Sequence, residues 1–244
     1  MALPVIPKKH FEIKSKFLPK GKVTMSPFTV GLEDLLIQVK DSEEDAEKMA
    51  AVKQVVQGCV VTPGLDIGPL PLFLVEEMFI RLRQNSVGEI IEQQYQCTNL
   101  VEKEGVEAPC NTVMPITIDT REFKINEPEG HKNVITVADP IGVKFRYPSI
   151  DLFEEVGADT ENEIETILTC IESIFDAENV YPAQDHTREE LRDFWKQLTL
   201  QQKNEVFEKF FYTMPHLHYK KSFICKGCGH EHEIEFRNLA QVFQ

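Results

Sequence analysis

The sequence lacks the features of several function classes. No stretch near eighteen consecutive apolar residues occurs in its 244, so no membrane-spanning helix is expected. Met1 to His10 carries prolines and lysines where a secretory leader needs an apolar core, and the chain is read as cytosolic. Excess positive charge is missing too. Against 40 Asp and Glu stand 26 Lys and Arg, a formal net charge of -14, which disfavours a broad grip on nucleic acid or an anionic membrane. Glycine-rich phosphate loops, a Gly-x-Ser-x-Gly elbow and paired carboxylates in an apolar setting do not occur. His230-Glu231-His232-Glu233 has no i, i+4 histidine pair on a helix, so it does not make the metalloprotease geometry. Cys59, Asp185-His186 and His216 to His218 have no spacing that joins them in catalysis. A non-enzymatic protein with no small-molecule substrate is expected.

What is present is cysteine in a pattern. Six cysteines include one Cys-x-x-Cys pair, and a reducing cytosol keeps thiols free, so metal binding explains them better than disulfides. Two turns that each present two cysteines supply the tetrahedral donors of a structural zinc. Cys225-Lys226-Gly227-Cys228-Gly229 has the spacing that lets both sulfurs face one ion, with glycines permitting the tight turn. Cys97 and Cys110 are separated by twelve residues, so this knuckle has an insertion. The expected zinc ligands are Cys97, Cys110, Cys225 and Cys228, with His230 as the rival to Cys110. Otherwise His230 and His232 read as surface residues, and Cys59 and Cys170 as core thiols on apolar helical faces. A site closed by four thiolates has no position for a reacting water, which points to scaffolding.

The lysine-rich segment 1–30 shows no helical period and reads as an extended arm, either reaching onto an acidic neighbour or packed on its own acidic body. Segment 31–87 is an N-terminal helical region: Leu32, Leu35, Leu36 and Val39, then Met49, Val52, Val55 and Val56, then Leu72 to Gln84 follow helical spacing. Strand-like residues in 88–127 form the first half of a zinc ribbon. A connector rich in Gly and Pro (Pro128, Gly130, Pro140 and Gly142), then helices, occupies 128–217, where Thr160 with Glu163, Thr187 with Glu190 and Thr199 with Gln202 fit capping boxes. Ile164, Ile167, Leu168, Ile171, Ile174 and Phe175 line the first of these helices. The second ribbon half and a C-terminal helix make up 218–244. The expected fold is α+β and mainly helical, with a discontinuous zinc ribbon of two β-hairpins formed by distant segments.

A zinc ribbon admits a nucleic-acid-binding or transcription accessory role, and Lys220, Lys221, Lys226 and Arg237 lie beside the second knuckle. Glu231, Glu233 and Glu235 are interleaved there and nearly cancel the field a phosphate backbone needs. Tyr219 and Phe223 sit at strand spacing, as hairpin core does.

Ser26-Pro27-Phe28-Thr29-Val30, Leu70-Pro71-Leu72-Phe73, Arg81-Leu82-Arg83 and Ser86-Val87-Gly88-Glu89 precede a strand ending in Cys97. Tyr147-Pro148, Leu198-Thr199, Pro215, Cys225-x-x-Cys228-Gly229 and a helix at Asn238 to Phe243 follow in order. With these the chain resembles the baseplate hub and hub-assembly proteins of T-even-type contractile-tailed bacteriophages. The resemblance implies a structural or assembly role at the centre of the tail baseplate, with other baseplate and hub proteins as partners and no catalysed reaction. It also implies residence in the host cytoplasm during assembly and in the virion tail baseplate. Two positions depart from the pattern. Asn111 follows Cys110 where a knuckle favours glycine, and Leu74 stands where the family pattern has an acidic residue.

Overall fold

A computed structural model of the chain describes residues 6–40, 42, 44–103, 105–152, 163–239 and 241. Near the N-terminus, β1 (Phe11–Lys14) and β2 (Lys22–Met25) pair antiparallel. Their period of two sends Ile13, Val23 and Met25 into the core while Glu12, Lys14 and Lys22 stay in water. Helices α1 (Val30–Val39), α2 (Asp45–Cys59) and α3 (Leu72–Ser86) follow. α3 is the spine of the first core: Leu74, Val75, Met78, Ile80 and Leu82 are fully buried. The apolar Leu74 is therefore required by its position, and the buried acid of this helix is Glu76 instead.

Several of the motifs that carry the family resemblance meet around α3. The Leu72 N–H donates to the Pro148 carbonyl, and the Phe73 and Tyr147 rings pack edge to face. The Phe28 N–H donates to the Ser86 hydroxyl at the other end. There the Arg83 guanidinium donates to the Gly88 and Ile90 carbonyls, turning the chain directly into β3 (Ile90–Gln96). β4 (Leu100–Lys103) and β5 (Val106–Pro109) form a small hairpin, and β6 (Val113–Asp119) returns to pair with β3.

After β7 (Lys124–Asn126) the chain builds a second core. β8 (Val134–Ala138), β9 (Ile141–Phe145), β10 (Ile171–Phe175) and β11 (Val180–Pro182) make a four-stranded antiparallel sheet in the order β11-β10-β9-β8. α4 (Glu163–Cys170), α5 (Arg188–Lys196) and α6 (Leu200–Val206) contribute to this core, α6 running on into a π-helical turn, Phe207–Phe211. Capping boxes start α5 at Thr187 and α6 at Thr199; Thr160 lies outside the described residues. β12 (His216–Ile224) then pairs with β7 on one edge and β13 (Glu231–Phe236) on the other.

The expectation of a mainly helical fold with a zinc ribbon is overturned. The structure is 35% helix and 31% strand, arranged in five sheets among the described residues. Two physical reasons account for the strands. Ile171, Ile174 and Phe175 lie on β10, because α4 stops at Cys170 and the following residues pair with β9 and β11; a short apolar run fits both periods. Gly142, a loop signal in sequence, sits inside β9, where an added Cβ would lie 2.2 Å from the Phe175 ring. No zinc ribbon forms either: the β3–β6 and β12–β13 pairs belong to separate sheets, and β12 completes its own sheet with β7. Among the described residues no helix is long and apolar enough to cross a membrane.

Candidate metal centre

Each cysteine turn is built by its own backbone. In the first, the Cys97 N–H donates to Thr112 O, the Asn111 N–H to Cys97 O, and the Cys110 N–H to Asn99 O. The last bond closes the base of the β4–β5 hairpin, so the long insertion between Cys97 and Cys110 is a projecting hairpin that leaves the turn intact. In the second, the Cys225 N–H donates to His230 O and the Gly229 N–H to Cys225 O. Gly229 adopts φ 74°, a left-handed conformation that glycine takes at no steric cost.

The structure brings Cys97, Cys110, Cys225 and Cys228 together, their four sulfurs all within 4.8 Å of one another. Cys97 Sγ lies 3.7 Å from Cys228 Sγ, and Cys110 Sγ 3.9 Å from Cys225 Sγ. A tetrahedron of Zn–S bonds of about 2.3 Å has edges of about 3.8 Å, so these two opposite edges already match. Donor chemistry fits too, since all four are thiols and soft enough for zinc. The two turns are interlocked: an added Cβ at Gly227 would lie 2.0 Å from Thr112 Oγ1. His230 is exposed and is not among the converging donors.

Local groups divide the thiols electrostatically. Burial holds Cys97 well above the ordinary thiol range. The Thr112 hydroxyl, 3.1 Å from Cys110 Sγ, and the Thr112 backbone pull Cys110 below it. Burial raises Cys225, but the Cys228 and Gly227 amides together with the neighbouring Cys97 and Cys228 thiols leave it lowered. Cys59 and Cys170 stand apart in the first and second cores, where burial pushes their thiols up to about 11 and about 12.

One residue of the site has the sequence pattern of a surface position. His232 is 8% exposed, and its Nε2 lies 3.1 Å from Cys97 Sγ. The signal was in the alternation of β13: His232, Ile234 and Phe236 face inward, while Glu231, Glu233 and Glu235 are turned more toward solvent.

The baseplate hub assembly protein gp26 of Enterobacteria phage T4 is 26% identical over 194 residues, covering 79% of this chain and 80% of that protein. No solved structure matches the chain. The profile of the T4 bacteriophage base plate proteins matches residues 10–244, and the chain belongs to that family.

Proposed function

We propose that this chain is a non-enzymatic structural or assembly protein of the phage tail baseplate that binds other baseplate and hub proteins. One structural zinc, held by Cys97, Cys110, Cys225 and Cys228, clasps its two distant cysteine turns. The observation that carries the metal reading is the convergence of four sulfurs within 4.8 Å of one another, with two opposite edges near the tetrahedral length. Four thiolates leave no open coordination position, so the ion would act on stability rather than chemistry. Such sites contribute about 10 kcal/mol or more of binding free energy to folding. The protein works in the host cytoplasm during assembly and in the tail baseplate.

Family membership and the hub-assembly role of the T4 relative support the baseplate reading. Protein binding is further supported by α1, where Leu32, Leu35 and Leu36 pack against the first core but Val30 is 74% and Ile37 59% exposed. Nucleic-acid binding receives no such support, because Lys220 is paired with Glu233, Arg237 with Glu235, and Lys221 donates to the Thr117 carbonyl. Affinity purification of the tagged chain from infected cells tests the reading. Tail baseplate proteins should be recovered with it; polymerase subunits alone would overturn it.

A further inference from the structure

We infer that His232 is a positioning residue of the thiolate cluster, which donates an Nε2–H hydrogen bond to the Cys97 thiolate and is itself oriented by the Tyr95 hydroxyl. This rests on the zinc reading above. Nε2 stands 3.1 Å from Cys97 Sγ, and Nδ1 stands 3.2 Å from the Tyr95 oxygen on the opposite side of the ring. The ring stacks on Phe223, its direct cross-strand partner, and Tyr95 packs against both. With Cys97 fully buried, the imidazole has little freedom to turn elsewhere.

The direction of the hydrogen bonds follows from the ligand. A metal-bound cysteine is a thiolate and only accepts, so the proton belongs on Nε2. Nδ1 is then bare and accepts from the Tyr95 hydroxyl, which can serve as a donor. Every sulfur of the cluster has a polar neighbour: the Thr112 hydroxyl at Cys110, the Gly227 amide at Cys225, the Asn99 side-chain amide 3.7 Å from Cys228, and His232 at Cys97. Asn99, Thr112 and Gly227 belong to the cysteine turns themselves. His232 comes from β13, beyond the second turn, and ties that strand to a sulfur of the first. Four thiolates around a divalent ion carry a net charge of about -2, which such donors spread.

The test uses the purified, reduced full-length chain loaded with Co2+ as a spectroscopic probe and with Zn2+ for release by a chelator. His232→Phe, His232→Gln and Tyr95→Phe are compared with the parent; Tyr95→Phe keeps the packed ring and removes a single oxygen, so it reports even where His232→Phe folds poorly. All are expected to bind one Co2+ with four-thiolate band intensity. In His232→Phe and Tyr95→Phe the sulfur-to-cobalt charge-transfer band moves to lower energy, because an unshielded thiolate donates more readily, and zinc release accelerates about 10- to 100-fold for His232→Phe. His232→Gln, which keeps a donor, recovers part of both effects. Unchanged bands and release rates in His232→Phe and Tyr95→Phe would overturn the positioning role while leaving the zinc site standing. So would a parent spectrum of three sulfurs and one nitrogen that loses the nitrogen in His232→Phe, since His232 would then be a ligand. A parent chain that takes up neither ion overturns the zinc reading itself and this role with it.

Discussion

Asn111 and Gly229 occupy equivalent places in the two cysteine turns: each directly follows the second cysteine, and each has a left-handed backbone, with φ of 57° and 74°. Asparagine is among the few residues besides glycine that visit this region routinely. The departure from glycine in the first knuckle therefore preserves the turn. Asn111→Gly should leave stability nearly unchanged, whereas the β-branched Asn111→Val should cost about 1–2 kcal/mol in urea unfolding of the metal-loaded chain.

Gly227 offers a second check on the interlocked turns. Gly227→Ala forces the new methyl against Thr112, and overpacking of this kind costs about 1–3 kcal/mol. Zinc should leave the variant faster under chelator challenge. Adding Thr112→Ala removes the closest contact but keeps the Thr112 Cβ, 2.9 Å from the new methyl, so the double variant should recover part of the thermal stability lost in Gly227→Ala alone.

Glu76 gives a prediction with a sign. Its carboxylate accepts from the Leu239 N–H inside the core, and burial pushes its pKa from 4.5 up to about 7. The folded chain therefore binds a proton there that the unfolded chain releases above pH about 4.5. This group favours folding most at low pH, and its contribution is lost as pH rises through about 7. Glu76→Gln, which keeps the acceptor without the charge, should match the parent near pH 4.5 and exceed it by about 3 kcal/mol at pH 8. Unfolding midpoints measured at both pH values decide the matter; a difference independent of pH contradicts it.

Ile37 separates binding from folding. Its side chain is mostly in water, so Ile37→Asp should shift the unfolding free energy by no more than about 0.5 kcal/mol. Recovery of baseplate proteins in the affinity purification should nevertheless fall. Undiminished recovery would remove α1 from the binding surface.

Sequence reasoning worked where one local rule had no competitor. Thr187 with Glu190 and Thr199 with Gln202 form their capping boxes because the bonds span only three residues. The cysteines converge because each pair sits at the end of an antiparallel strand pair. Reading failed where distant packing chose between local options. Ile171–Phe175 was compatible with helix until β9 and β11 were available to pair, and Gly142 marked the footprint of Phe175 rather than a loop. His232 was hidden by its charged neighbours, although their alternation places it on the inner face of β13.

The most direct measurement is the zinc content of the purified chain, prepared under reducing conditions without chelators, beside Cys228→Ser. The account predicts one zinc per parent chain, with Cys228→Ser losing the metal and the order of both cysteine-bearing hairpins by hydrogen exchange. A parent chain free of zinc, with four reactive thiols at 97, 110, 225 and 228 and both hairpins still protected, would contradict it.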